Sequence, residues 1–203
     1  GDWCSPNLSI TALDLPKNGV ANAISAIEGH AFAGTGDNAS GVSYANIDIT
    51  DTNPPVATIT TPGTFDGFKT NDIHGEDGYA FLATDNSFKE IEIVNLSTNP
   101  YTEAGYFDAP GNGDGDAIYT TAAYGFMTSG NKFYAFDLSS KTGSRPQVGG
   151  AVTLAGTGRR IVINGTYAYV AVNNSFNQLQ IIDISNPAAL SDASVIGQSS
   201  LPA

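Results

Sequence analysis

The sequence predicts an all-β protein built from four copies of one four-stranded unit, preceded by a short N-terminal strand. Two sequence markers recur at a common spacing along the 203 residues, and each unit has room for four short strands. Charged residues make up only 14% of the chain, and Gly, Asn, Ser, Thr and Asp supply most of its polarity. That balance is typical of all-β proteins with many turns.

The first marker is a small, aromatic-rich strand. It reads Tyr-Ala-Phe-Leu-Ala at 79–83 and Tyr-Ala-Tyr-Val-Ala at 167–171, and related strands occur near 29 and 123. The small residue at its centre falls at 31, 80, 125 and 168, so the steps are 49, 45 and 43 residues. We expect the aromatic side chains of this marker to lie at least partly buried between neighbouring units, namely Tyr79, Phe81, Tyr167 and Tyr169.

The second marker is an apolar strand that ends in Asp or Asn and is followed by a Ser/Thr-rich turn and a Pro. Its polar residues are Asp48, Asn95, Asp137 and Asp183. A ring of such side chains resembles a ligand site. Because a short carboxylate or amide can accept backbone N–H groups of the turn that follows, we interpret these residues as turn-forming.

A short apolar run precedes the first marker in every unit, and a further strand follows each Pro. Each unit therefore contains four strands, called a to d in chain order. Strands b and c are apolar on both faces, as expected of sheets that stack face to face. A four-stranded period of about 40–45 residues is that of a β-propeller blade. The predicted blades cover residues 20–66, 67–112, 113–156 and 157–203 of a single domain.

The fourth unit resembles a known repeat. The segments 167–171 and 179–187, the latter reading Leu-Gln-Ile-Ile-Asp-Ile-Ser-Asn-Pro, resemble the LVIVD repeat of bacterial and archaeal surface proteins. The resemblance extends from about residue 20 to the end. It is least close in the third unit, where residues 139–146 lengthen the c–d turn. It implies an extracytoplasmic propeller, extracellular or at the cell surface, and implies no catalytic residues.

The two ends of the chain resemble the same element. Residues 8–15, within the N-terminal segment 1–19, are similar to a d strand from an adjoining blade, and residues 195–202 form another d strand. Two d strands do not complete one blade, so we interpret the chain as part of a larger propeller. Its terminal blades would then present apolar faces, and we expect the chain either to associate with itself through them or to close by distortion into a small ring.

The charge of the chain limits its partners. A net charge of −12 repels phosphate backbones and anionic lipid, so we expect no nucleic acid and no membrane surface among the partners. No apolar stretch approaches the ~20 residues of a spanning helix, which predicts no membrane insertion of this segment. Cys4 is the sole cysteine and has no internal disulfide partner. The expected ligand is therefore a protein or a glycan.

In propellers the d–a and b–c loops gather on one face around the channel. Their residues differ between units here, which suits recognition by loops on a repeated scaffold. Further charged residues in the b–c loops are Asp37, Asp85 and Lys132. The candidate binding residues are Asp72, His74, Asp116, Arg159 and Arg160.

One loop resembles a metal-binding segment. Asn112, Asp114 and Asp116 place amide and carboxylate oxygens at alternate positions, as calcium loops do. The segment lacks the later bidentate Glu, and a turn between blades explains it equally well. The two histidines have no second His or Cys near them. We predict no metal and no cofactor, with calcium at this loop as the alternative.

These features predict a non-catalytic binding or interaction module on the outside of a cell. No nucleophile elbow, P-loop or dinucleotide fingerprint occurs in the sequence. One alternative is a structural subunit of a surface layer or appendage. Another is a propeller-type glycan hydrolase or lyase, which convergence of Asp72, His74 and Asp116 in one pocket would favour.

Overall fold

The described part of the chain forms four sheets, each built from four antiparallel strands, and one further two-residue strand joins the second sheet in parallel. The computed structural model describes residues 12–15, 20–27, 29–36, 44–48, 56–59, 68–98 and 100–201, without the side chains of 46, 48 and 56–59. In this part of the chain, no helix is long and apolar enough to cross a bilayer.

The first and second sheets follow the chain from their inner to their outer strands. The first sheet has the order β1-β2-β3-β4, with β1 Ala21–Ile27, β2 His30–Thr35, β3 Tyr44–Asp48 and β4 Val56–Ile59. The second sheet contains β5 Thr70–Glu76, β6 Tyr79–Thr84, β7 Ile91–Asn95 and β8 Thr102–Phe107. Strands β5 and β6 are joined by Asp77 and Gly78, and Gly78 has a φ of 78°, as tight two-residue hairpins require.

The third and fourth sheets repeat this arrangement. The third contains β9 Ala117–Thr120, β10 Tyr124–Ser129, β11 Lys132–Asp137 and β13 Gln147–Thr153. The fourth contains β14 Thr157–Asn164, β15 Tyr167–Asn173, β16 Leu179–Asp183 and β17 Val195–Ser199. Two short 3₁₀ turns, Pro187–Ala189 and Asp192–Ser194, connect β16 to β17.

The lengthened turn of the third unit becomes a strand of the second sheet. Strand β12, Gly143–Ser144, pairs in parallel with Gly105 and Tyr106 of β8, the outer strand of the second sheet. Arg145 follows it and donates its backbone N–H to the carbonyl of Tyr106 at 2.7 Å. This loop therefore joins the third sheet to the second.

Hydrophobic cores lie between neighbouring sheets and hold them face to face. Phe32, Phe81 and Phe126 occupy the third position of the b strand in the first three sheets and are at most 2% exposed. Each ring packs in the core shared with the next sheet. Strand β1 contacts β5, β5 contacts β9, and β9 contacts β14, so the a strands are the inner strands of a propeller. This confirms the all-β propeller of four four-stranded blades.

One sequence prediction about the buried aromatic side chains needs correction. Tyr79 and Tyr169 are partly buried and Phe81 is fully buried, but Tyr167 is 42% exposed. It lies on the outer face of the fourth sheet, against which no described sheet packs.

The predicted N-terminal strand over 8–15 does not continue through 12–15, and its residues 8–11 lie outside the described part, as does Cys4. Instead, Leu13 and Leu15 pack against the first sheet.

Candidate functional site at the channel mouth

The inner strands share an irregularity at one end, which we call the channel mouth. Asn22, Asn71 and Arg159 each bulge out of the pairing with strand b of their own sheets. Asp116 takes the equivalent position in the third sheet, directly before Ala117 of β9. A β-bulge re-aims the side chain of the extra residue, so the four side chains project at the same end of the arc.

These mouth residues connect consecutive sheets. Asn22 Nδ2 donates to the carbonyl of Thr70 at 3.4 Å, and Asn71 Nδ2 donates to the carbonyl of Gly115 at 2.9 Å. Arg159 Nη1 lies 3.3 Å from Asp116 Oδ1. The mouth is therefore lined by a series of polar side chains, each of which contacts a residue in or directly before the inner strand of a neighbouring sheet.

Asp72 lies next to this series on β5 and joins three sheets. Its Oδ1 accepts the N–H of Ile73 at 2.9 Å and its Oδ2 accepts the N–H of Ile118 at 3.0 Å. It also forms an ion pair with Arg160 of β14. Burial raises the pKa of Asp72, which is 2% exposed, and these hydrogen bonds and the Arg160 charge oppose the rise only in part. Both oxygens are thus committed to contacts within the protein.

Asp116 fixes the b–c turn of its own sheet as well as pairing with Arg159. Its Oδ2 accepts the backbone N–H of Gly130 at 2.8 Å. Burial raises the pKa of Asp116, and the Gly130 hydrogen bond and the Arg159 charge oppose this.

His74 contacts the third sheet further along β5. Its Nδ1 lies 2.8 Å from Thr120 Oγ1, and its ring packs on Tyr119 with 4.4 Å between centroids. Thr120 Oγ1 donates in turn to Glu76 Oε1 at 2.5 Å. Burial lowers the pKa of His74, although the Glu76 carboxylate raises it. The arrangement is that of a hydrogen-bonded contact between two sheets.

The three ionisable residues whose convergence would favour an enzyme have separate partners. Asp72 is tied to Arg160, Asp116 to Arg159, and His74 to Thr120. Within the described ranges, no hydrogen bond or ion pair joins Asp72, His74 and Asp116 to one another. Four of the five candidate binding residues also lie in strands rather than loops, since β5 and β14 begin earlier than the sequence indicates.

The two arginines keep hydrogen-bonding capacity at the mouth. The side chains of Arg159 and Arg160 are 58% and 48% exposed, and each engages its carboxylate through Nη1. A cavity of about 440 Å³ opens between Arg160 and residues 21–24 of β1. Another, of about 450 Å³, is lined by Arg159, Asn173 and Gln178 among others. A guanidinium has five N–H donors in a planar fork, so both can still receive a ligand oxygen.

The loop predicted as an alternative calcium site serves as a turn between sheets. Asn112 and Asp114 are exposed, while Gly115 donates its N–H to the carbonyl of Thr84 at 2.8 Å. The described ranges hold no group of three or more His, Cys, Asp or Glu that could bind a metal ion.

The turn-forming interpretation of the second marker is confirmed in three sheets. Asn95, Asp137 and Asp183 each accept through Oδ1 the backbone N–H two residues later, at 2.9, 3.2 and 2.9 Å. Hydrogen bonds from Ser139 lower the pKa of Asp137, and those from Ser185 lower that of Asp183. The Asp48 side chain lies outside the described part.

Of the charged b–c residues, Asp85 and Lys132 have local partners. Asp85 Oδ1 accepts the N–H of Lys69 at 2.7 Å, and Lys132 Nζ donates to Thr153 Oγ1 at 2.7 Å. Asp37 lies outside the described residues.

Asn22 and Asn71 are mouth residues that the sequence reasoning missed. Both stand two positions before the Ile of an inner strand, as Asp116 and Arg159 do. Aligning the four units on that Ile would have found the whole series. Asn22 and Asn71 are uncharged, so a pattern of charged residues at the start of the inner strands does not include them.

Comparisons with known proteins agree with this architecture. Residues 155–194 match the model of the LVIVD repeat. No curated protein matches the sequence significantly.

Solved structures with a similar fold have low sequence identity. The designed Ika4 protein is 6% identical with a TM-score of 0.64, over 85% of this chain and 96% of Ika4. A Bacteroides uniformis protein named as a 6-phosphogluconolactonase is 12% identical with a TM-score of 0.67, over 95% of this chain and 59% of that one.

Apo AztD from Citrobacter koseri is 14% identical with a TM-score of 0.56, over 89% of this chain and 48% of AztD. The chain thus spans about half of AztD and three-fifths of the Bacteroides protein, and these likenesses concern the fold alone. The protein is a four-bladed arrangement of β-propeller sheets whose fourth sheet carries an LVIVD repeat.

Proposed function

We propose that this protein is a non-catalytic interaction module, extracellular or at the cell surface, that binds a protein or glycan ligand at the channel mouth. The observation that carries the proposal is that the carboxylates of the mouth are bonded within the protein, whereas its arginines are exposed. Asp72 is buried and committed to three sheets, whereas Arg159 is 58% exposed and engaged through Nη1. The carboxylates hold the scaffold, and the arginines face outward.

The mouth chemistry favours a ligand group that accepts hydrogen bonds. A guanidinium fork matches a carboxylate in a bidentate geometry. The net charge of −12 opposes long-range attraction of such a ligand, so binding depends on contacts made at the mouth itself. Self-association of the chain would place several mouths side by side and increase avidity without new contacts.

The two alternative functions have unequal support. Exposed apolar side chains on the terminal sheets, such as Val162 and Ile24, favour a structural subunit as the second candidate. A glycan hydrolase or lyase has less support, because Asp72, His74 and Asp116 each have separate structural partners. The name of the Bacteroides protein concerns that protein, and the likeness to it is one of fold.

A binding assay with a second readout tests the proposal. The chain would be titrated with a panel of uronate-containing oligosaccharides and acidic peptides, and each mixture would be assayed for new reducing ends and unsaturated uronates. We expect binding without product release. Arg159→Ala should weaken binding about tenfold or more, since a charged hydrogen bond contributes about 1.5–3 kcal/mol. Gln198→Ala, at an exposed side chain on the outer strand β17, is the control. Product release, or equal losses in the two variants, would contradict the proposal.

A further inference from the structure

The first sheet exposes a side chain that is buried in every other sheet. Ile24, Ile73, Ile118 and Ile161 are equivalent, because each pairs with the fourth residue of strand b in its sheet. Ile73, Ile118 and Ile161 face the preceding sheet and are at most 1% exposed. Ile24 is 65% exposed. The first sheet therefore has an interface position that the described residues leave open.

The fourth sheet shows the same feature on its opposite face. Ser25, His74, Tyr119 and Val162 are equivalent, because each pairs with the third residue of strand b. Ser25 and His74 form hydrogen bonds to the next sheet, and Tyr119 packs in the core shared with the fourth sheet. Val162 is 53% exposed. Tyr167 of the same sheet is 42% exposed on that face.

We propose that these two faces bind each other between copies, so that the fourth sheet of one chain packs on the first sheet of a second copy. The contact would extend the internal interfaces at their inner strands, where an Ile of strand a packs in one core with an aromatic ring of the preceding sheet. Tyr169 would take the place that Phe32, Phe81 and Phe126 have in the internal cores, and Ile24 of the second copy the place of Ile161. The proposal is independent of the channel-mouth ligand.

The geometry of the arc leaves these faces available to a second copy. Among the described residues, no hydrophobic core joins the first and fourth sheets, and Ile24 and Val162 are each more than half exposed. Leu13 and Leu15 cover the part of the first sheet formed by Ala31, Ala33 and Ile47. They leave the inner strand open, so the second copy meets Ile24 first. Such a contact uses different surfaces on the two copies and is head-to-tail.

Two charge substitutions and their mixture test this arrangement. For the 203-residue chain, sedimentation over a range of concentrations should show a mass that rises above 21.0 kDa. Ile24→Asp and Val162→Asp should each raise the dissociation constant about 10- to 100-fold, because an unpaired charge would be buried in the contact. Phe88→Asp, at a 70% exposed ring on a turn of the second sheet, should leave association unchanged.

Mixing the two variants gives the diagnostic result. Each variant alone lacks one of the two faces in every copy, whereas the mixture contains an intact fourth sheet and an intact first sheet on different chains. We expect one-to-one association to return in the mixture. Circular dichroism melting of each variant shows that it is folded, since both side chains are exposed in the single chain.

Three results would overturn the proposal. A wild-type monomer at all concentrations, with melting temperatures lowered by both substitutions, would mean that the arc closes on itself. Association that survives Ile24→Asp would place the contact on other surfaces. A mixture that stays monomeric, while each folded variant is also monomeric, would exclude head-to-tail pairing.

Discussion

Glu92 shows how one residue can make the stability of the whole protein depend on pH. Its side chain is fully buried on β7, with Lys89 Nζ 3.9 Å from Oε1, and neither oxygen has a hydrogen-bond partner within the described residues. Burial, and then the neighbouring Glu103, raise the pKa of Glu92 to about 9. The folded protein therefore holds this proton more tightly than the unfolded chain does.

The free energy of unfolding should fall as the pH rises from about 4.5, the ordinary value for Glu, to about 9. The stabilisation by the bound proton is complete below the unfolded-state pKa and is lost through the folded-state pKa. Asp72, Glu90 and Asp116, whose pKa values burial also raises, act in the same direction. Urea unfolding at pH 5, 7 and 9 measures this dependence. Glu92→Gln, which resembles the protonated acid, should reduce the slope, whereas Asp77→Asn at an exposed site should not. A slope unaffected by Glu92→Gln would contradict the assignment.

At the scale of elements, the loop that contains β12 is the main departure from the repeat. It pairs with β8, and Lys141 Nζ lies 3.3 Å from Glu76 Oε2 of the second sheet. Arg145 Nη2 lies 2.6 Å from Asp137 Oδ2, which holds the loop against the end of its own strand. The loop thus stabilises the contact between the second and third sheets.

Two equivalent glycines test that contact. Gly105 of β8 and Gly197 of β17 pair with Ile93 and Ile181, at the same place in their sheets. A Cβ at Gly105 would lie 2.5 Å from the carbonyl oxygen of Gly143, whereas one at Gly197 would meet Ile181 Cδ1 at 3.3 Å. Gly105→Ala should displace the loop and lower the free energy of unfolding by about 1–3 kcal/mol. Gly197→Ala should change it by less than about 1 kcal/mol. Equal decreases in the free energy of unfolding of the two variants, measured by calorimetry, would show that β12 contributes little to stability.

At the scale of the whole molecule, the fold could be predicted from sequence because each blade carries the same two markers. Strand b and the Asx turn after strand c depend on local residues, and Asn95, Asp137 and Asp183 form the turns as predicted. The pairing of β12 with β8 could not be predicted, because two residues in parallel pairing have no periodic pattern. The exposure of Tyr167 also depends on what lies beyond its sheet, which local sequence does not contain.

The candidate site was predicted only in part. The charged residues of the mouth were identified, since charge at the start of an inner strand is visible in the sequence. Their partners were not, because the Asp72–Arg160 pair joins residues 88 positions apart across a third sheet. Only the stacking of the sheets brings these groups together, and only their partners distinguish a structural carboxylate from a catalytic one.

The measurement that most directly tests the account is the thermal unfolding of Asp72→Asn beside Arg159→Ala. If the hydrogen bonds and ion pair of Asp72 stabilise the contact among three sheets, Asp72→Asn should lower the free energy of unfolding by about 1–3 kcal/mol. The reason is that an amide leaves a buried N–H unpaired. For a chain of this length, that is a fall in Tm of about 2–4 °C per kcal/mol. Arg159→Ala, at an exposed side chain that we propose contacts the ligand, should leave Tm nearly unchanged. If Asp72 were instead retained for function at a cost in stability, its replacement would commonly be neutral or stabilising. An unchanged or raised Tm for Asp72→Asn would therefore contradict the structural role assigned to the mouth carboxylates.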